Sequence, residues 1–328
     1  METKETKELT NNTGGPTSSK VDTQKMLIRN TVKSIYDIQK LRIMTGNRIA
    51  SNFNIKLGQD PGTSQEDMDD EAKTLLDSLR KEYKRITDAY IDNKITIRKA
   101  VANNEGIITD IFEYELMQSY MQLLESEQNA IKSLDRVVKS HPLWKEFLSK
   151  VKGVGPLMAG GIISEFDPHK AKYPSSFWKY AGLDVVKVTN EEGQIIGEGR
   201  GRRKNHLENK VYTNSKGEQT ITKGITYNPF LKTKLLGVLG TSFLRSKSQY
   251  SDIYYNYRKR LDNTPNLDIS DGHKHARAIR YMIKMFVLDL WIVWREIEGL
   301  ATPEPYYVSK LGMEKHKNTI LDQIRAQT

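Results

Sequence analysis

Cysteine is absent from the chain. That excludes a disulfide framework, a thiolate zinc site, an iron–sulfur cluster and cysteine-nucleophile catalysis together. Long apolar runs are absent too: no stretch approaches the ~20 residues needed to cross a bilayer, and mean hydropathy is −0.62. The first twenty residues, METKETKELTNNTGGPTSSK, alternate charge and contain no apolar stretch. They read neither as a secretory leader nor as part of a packed interior, and a disordered arm is expected. A cytoplasmic protein follows as the expectation, nucleoid-associated if it binds DNA, with no membrane partner.

Acidic residues run short in one region. The 328 residues carry 51 Lys plus Arg against 41 Asp plus Glu, a net charge of +10. Residues 201–250 hold 10 basic groups and 2 acidic ones, so +8 of the excess lies in that window. Residues 101–150 run the other way, with 5 basic and 8 acidic. Charge that serves only solubility would be spread more evenly; a surface for phosphates concentrates it.

Apolar spacing predicts helices over about 21–56, 68–103 and 107–140, separated by LGQDPGTSQEDMDD and a short break. The third has the sharpest seam, through Met117, Tyr120, Leu124, Ile131, Leu134 and Val138, interrupted by Glu127. An intramolecular helical hairpin and a dimeric coiled coil both fit that seam, and the second allows a homo-oligomer. His141-Pro142 ends it. Residues 183–227 turn β-like, with KVYT and EQTIT flanking Asn-Ser-Lys-Gly as a hairpin would. Helical patterns return near 229–260 and 272–299. The expected fold is mainly α: a helical N-terminal hairpin or coiled coil (21–140), then a DNA-binding α domain (141–300) with a small β insertion, and a tail (301–328).

Three segments carry chemistry. FLSKVKGVGPLMAGGII (147–163) has the form of a helix–hairpin–helix, with Gly153-Val154-Gly155 as the turn and Pro156 opening the second helix. Lys152, Gly153, Val154 and Gly155 are candidate phosphate contacts, because such a turn leaves backbone N–H groups uncovered at a helix start. Ala159, Gly160 and Gly161 are small enough to let the hairpin's helices pack closely. GEGRGRRKNHLENK (197–210) offers Arg200, Arg202, Arg203 and Lys204 on a glycine-rich backbone. In SDGHKHARAIRYMIKMFVLDLWIVW (270–294), Ser270 and Asp271 can cap a helix on which His273, Arg277, Arg280 and Lys284 share one face. Ile279, Met282, Ile283, Phe286, Leu290 and Trp294 take the other. His273 and His275 point about 200° apart on a helix and make no metal pair. Tyr250, Tyr254, Tyr255 and Tyr257, beside Arg258, Lys259 and Arg260, could stack on unpaired bases or simply pack. No cofactor or metal site is implied.

Several blocks, in order, resemble one family. VKGVGPLMAGGIISEFDPHKAKYPSSFWKYAGLDVV is similar to the start of the C-terminal transposase domain of the bridge-RNA-guided insertion-sequence transposases. YNPFLKTKLLGVLGTSFLRSKSQYSDIYYNYRKRL and GHKHARAIRYMIKMFVLDLW resemble that domain's later helices, and 107–140 its coiled-coil connector. The resemblance covers about 107–300 and implies DNA binding in transposition or recombination. Two features of the family lack carriers. Residues 21–104 show no alternating strands ending in Asp or Glu, as the family's N-terminal carboxylate domain would. No serine occurs between Ser176 and Ser215 where the family places its nucleophile; Thr189 is the nearest hydroxyl. The expectation is a DNA-binding or accessory factor, DNA being preferred over RNA. An active recombinase with an unrecognised site and an RNA-binding protein are the alternatives.

Overall fold

The computed structural model describes residues 23–60, 68–202, 206–265, 268–303 and 320–326. The expected arm at 1–20 and most of the 301–328 tail lie outside the described residues. The chain is mainly α-helical with a small β insertion.

Helix α1 (Thr23–Lys56) and helix α4 (Ile111–Ser140) form an antiparallel pair. The apolar spacing determines that pairing. Ile28, Val32 and Ile35 cluster with Leu134 and Val138 at one end. Ile49 and Phe53 cluster with Tyr114, Met117 and Tyr120 at the other. Gln24 bonds Ser140 at 2.9 Å and Lys56 bonds Glu113 at 2.7 Å, which fixes both ends of the register. Glu127, the acid on the seam, is buried and accepts from Arg42 and from Gln39 Nε2 at 3.0 Å. Both partners lie on α1, so this seam packs against α1 within the chain.

The expected helix over 68–103 is two helices, α2 (Asp70–Asp92) and α3 (Ile97–Ala102). Lys94 breaks them with a φ of 51°, the left-handed region that side-chain-bearing residues rarely adopt. Asp69 caps α2, and Asp110 with Glu113 closes a capping box on α4. Short helix α5 (Pro142–Glu146) and a 3₁₀ turn at Leu148–Lys150 then lead to α6 (Pro156–Glu165) and α7 (Pro174–Tyr180).

The insertion consists of two antiparallel hairpins. Strand β1 (Val185–Thr189) pairs with β2 (Ile195–Gly199), and β3 (Glu208–Thr213) with β4 (Gln219–Gly224), the latter around the expected Asn-Ser-Lys-Gly turn. Both are largely exposed, with little apolar core of their own. Helix α8 (Pro229–Thr233) continues through a π-helical stretch, Lys234–Leu239, into α9 (Gly240–Ser246). Helices α10 (Ser251–Asp262) and α11 (Asp271–Ile297) complete the domain, and α12 (Ile320–Arg325) packs its Ile320, Leu321 and Ile324 into the same core.

Helix α11 is the core's axis. Ile279, Met282, Ile283, Phe286, Leu290 and Trp294 are all buried, as the sequence pattern requires. Each such side chain contributes about 1.5–3 kcal/mol when fully removed from water. Phe286 packs edge-on against Phe243 and Tyr250, at 5.3 and 5.5 Å between ring centres. The core also takes in the base of the α1/α4 pair, so packing continues across residue 140. Gly160 of α6 serves that junction and not the hairpin's own helices: a methyl group on it would lie 3.0 Å from Val32 and 3.1 Å from Leu134, while Gly161 faces Phe230. Helix α5 is too short to offer that close-packed face.

Candidate nucleic-acid interface

The expected site residues fall into two separate places. The first is a groove of about 640 Å³ between the β1/β2 hairpin and α11. Ser270 caps α11, its Oγ accepting from His273 N at 3.3 Å, and that sets the helix's phase. His273, Arg277, Arg280 and Lys284 then line the groove from one side. Opposite lie Arg202, His206 and the β2 backbone at Gly197 and Gly199, with Gly201 just beyond. Glycine at 199 leaves room for the Arg280 guanidinium, which occupies the space a methyl group there would take.

The charges in the groove are poorly compensated. Among the described residues, Arg202, Arg277, Arg280 and Lys284 form no ion pair with a carboxylate. Arg280 Nε is buried with no hydrogen-bond partner. Burial pulls the Arg280 guanidinium below the usual arginine range; Asp184 opposes this, and Arg277 adds to it. Lys284 is lowered by burial, with Asp184 opposing and Arg280 adding repulsion. Its ammonium lies 4.3 Å from the Trp178 ring centre, and its carbonyl accepts from Trp178 Nε1 at 3.0 Å. Neighbouring Lys232 is lowered by burial and by Arg280 and Arg202, against Asp184. The carboxylates beside the groove are already engaged. Asp184 accepts from Arg200 Nε at 3.0 and 3.1 Å, and Glu198 faces His206 at 3.1 Å.

Arg200 therefore does not join the groove. It is buried, 7% exposed, bonded to Asp184, to Thr226 at 2.5 Å and to Glu208 at 3.4 Å. Its backbone explains this: Arg200 N donates to Asp184 O, extending the β1/β2 ladder by one position and turning the side chain inward. Arg200 fastens the insertion to the domain, and its carbonyl accepts from Lys232. Arg203 and Lys204 lie outside the described residues.

The second place is the hairpin. Gly153 has a φ of 94°, which glycine alone adopts without strain. The turn is partly covered by the region around α9. Lys152 N donates to Gln249 Oε1 at 3.1 Å, Ser242 Oγ donates to Gly153 O at 2.8 Å, and Val154 N bonds back to Val151 O. Gly155 is exposed with open space around its Cα, and it precedes Pro156 at the start of α6. The open part of the turn is thus Gly155 and the first turn of α6. None of Lys152, Gly153, Val154 and Gly155 lines the groove.

Thr189 is exposed at the far end of β1, paired with Ile195. Four residues separate it from Val185 at the groove, about 13 Å along a strand. Among the described residues, no three His, Asp or Glu side chains converge as a metal cage would require. His275 bonds Tyr254 Oη at 2.7 Å and His273 faces the groove, so the two histidines diverge as their spacing demands.

Sequence reasoning missed Tyr281 and Lys232, and it weighed Tyr257 only within a run of tyrosines. Tyr257 and Tyr281 stack at 4.6 Å and line the groove. Tyr281 follows Arg277 by four residues and precedes Lys284 by three, so the helical spacing that gave the cationic stripe contained it. Comparison with protein-family models, curated proteins and solved structures finds no match for this chain. Among the described residues, no helix is long and apolar enough to cross a membrane.

Proposed function

We propose that this chain binds nucleic acid, DNA in preference to RNA, and acts in transposition or recombination as a binding or accessory factor. One observation carries the reading: Arg277, Arg280 and Lys284 on α11 and Arg202 beyond β2 face one groove, two of them partly buried, and among the described residues none forms an ion pair with a carboxylate. Like charges gathered at that cost suit a polyanion, whose phosphates would replace water as their partners. The hairpin at Gly155 supplies a second, backbone-only contact of the kind that grips phosphate without reading sequence. The transposition role rests on the order of sequence blocks that resemble the insertion-sequence transposases.

Filter binding on duplex, junction and single-stranded DNA, with and without magnesium, tests this reading. Binding that weakens steeply with salt is expected, with no strand cleavage by the isolated chain. Salt-insensitive binding, or none, would remove the proposal. A covalent protein–DNA adduct lost in Thr189→Ala would restore an active recombinase.

A further inference from the structure

The groove contains aromatic faces as well as charge, and that combination is more selective than charge alone. Tyr257 on α10 and Tyr281 on α11 stack with rings 4.6 Å apart and 22° from parallel. Both line the groove beside Arg277, Arg280 and Lys284. Tyr250 and Tyr254 are instead held as core residues, Tyr250 Oη donating to Asp289 at 2.7 Å and Tyr254 Oη bonding His275 at 2.7 Å, and Tyr255 is exposed. Among the described residues, the hydroxyls of Tyr257 and Tyr281 have no hydrogen-bond partner. Both are half-buried, where a hydroxyl can bond water, and Tyr257 also packs against the core.

A duplex cannot use the aromatic part of such a surface. Its bases are stacked on one another inside a convex cylinder, and it offers the protein phosphates and base edges. An unpaired strand offers phosphates and free base faces together, and cationic grooves lined with aromatics are how proteins hold it. The absence of side chains at Gly199 and Gly201 lets Arg280 and His206 pack close to the β2 backbone on the wall facing α11. A volume of about 640 Å³ lies within the ~300–1,000 Å³ of clefts that enclose small ligands. It accommodates a short run of nucleotides.

We infer that the groove takes an unpaired nucleic-acid strand, with a base stacking against the Tyr257–Tyr281 pair while Arg277, Arg280 and Lys284 hold the adjoining phosphates. The inference rests on the nucleic-acid reading above and narrows it to strands with unpaired bases.

Fluorescence anisotropy with the full chain and a labelled oligonucleotide of ~20 residues tests it, offered as single-stranded DNA, as its duplex and as RNA of the same sequence. Single strands should bind at least about tenfold more tightly than the duplex. Tyr257→Leu and Tyr281→Leu should weaken single-strand binding by roughly 5- to 150-fold, the effect of losing one base–aromatic stack, and weaken duplex binding by clearly less. The DNA and RNA arms identify which strand is preferred. A wild-type measurement avoids any folding defect of the variants: 2-aminopurine placed along the single strand should be quenched on binding at the stacked position. Equal or tighter duplex binding, no quenching and indifferent leucine variants would overturn the inference and leave the cationic groove standing. Failure of every form to bind would overturn both.

Discussion

Arg200 and Arg277 lie in the same basic region of the chain's surface chemistry, yet they should fail in opposite ways when replaced. Arg277 faces the groove among other cations; Arg200 is buried against Asp184. Replacing Arg202, Arg277, Arg280 and Lys284 one at a time with Gln should flatten the log–log salt dependence of binding. The slope should fall by about 0.9 for each cation that touches duplex phosphate, or about 0.7 for a single strand. Removing all four should take roughly 3 to 4 units off the slope. Between 50 and 200 mM salt, such a change corresponds to roughly a hundredfold difference in how strongly affinity falls.

Arg200→Ser should leave the slope where it is. It should instead cost stability, because Asp184 loses the Nε that donates to both its oxygens at a site where the arginine is 7% exposed. Breaking a buried pair costs about 3–5 kcal/mol, and Asp184's partial exposure argues for the lower end. Urea titration followed by circular dichroism reads the stability, and anisotropy across a salt series reads the slope. A flattened slope in Arg200→Ser, or an unchanged slope in the four-fold groove variant, would refute the division of labour.

Other substitutions separate backbone strain from contact. Gly153→Val forces a β-branched side chain to a φ of 94° and into Ser246 and Phe243, so it should lose at least about 1–2 kcal/mol and report folding, not binding. Gly155→Val has open space and an ordinary φ, so it should fold normally and weaken binding to all DNA sequences alike; sequence-selective loss on a panel of duplexes would count against backbone grip. Gly199→Ala should displace the Arg280 side chain and weaken binding as much as Arg280→Gln does, with affinities compared in one salt series. Lys284→Met should make the protein less sensitive to alkaline pH in a defined sense. Because burial depresses the folded-state pKa of Lys284 below 10.5, the unfolded chain binds more protons in the window beneath 10.5, so wild-type stability gains from rising pH there. That gain should be smaller in Lys284→Met thermal melts, and an unchanged pH dependence would contradict the assigned burial.

The helical framework was legible because its residues follow one period over long distances. Ile28, Val32 and Ile35 repeat every three or four positions, as do Leu134 and Val138, and burying both stripes leaves few alternatives. Lys94 was not legible. A lysine in the left-handed region has no compositional signature, unlike the glycines at 153 and 182. The cationic stripe of α11 was readable because the spacing of four, three and four puts His273, Arg277, Arg280 and Lys284 on one face whatever the rest of the fold does. Arg200 was misplaced for a complementary reason. In a run such as GRGRRK every arginine looks alike, and only the pairing of β1 with β2 decides that position 200 faces Asp184. Register is a long-range property, and no local pattern announces it.

The stability consequences of the groove point the same way as its geometry. Burial lowers Arg280, Lys284 and Lys232, and the cations also repel one another, so the folded protein disfavours the charge it holds there. Met or Leu on the inner positions would pack as well and remove that penalty. A fold that needed only a stable α11 would have no physical reason to place charges at 280 and 284 against Trp178 and the β2 backbone. Partners that bring negative charge reverse the balance: a phosphate beside Arg280 and Lys284 favours the charged form of both. Binding energy and folding energy are then linked through the same groups, since a ligand that binds only the folded chain stabilises it in proportion to its affinity. The surrounding core, centred on Phe286, Leu290 and Trp294, is what lets the protein tolerate the groove when it is empty.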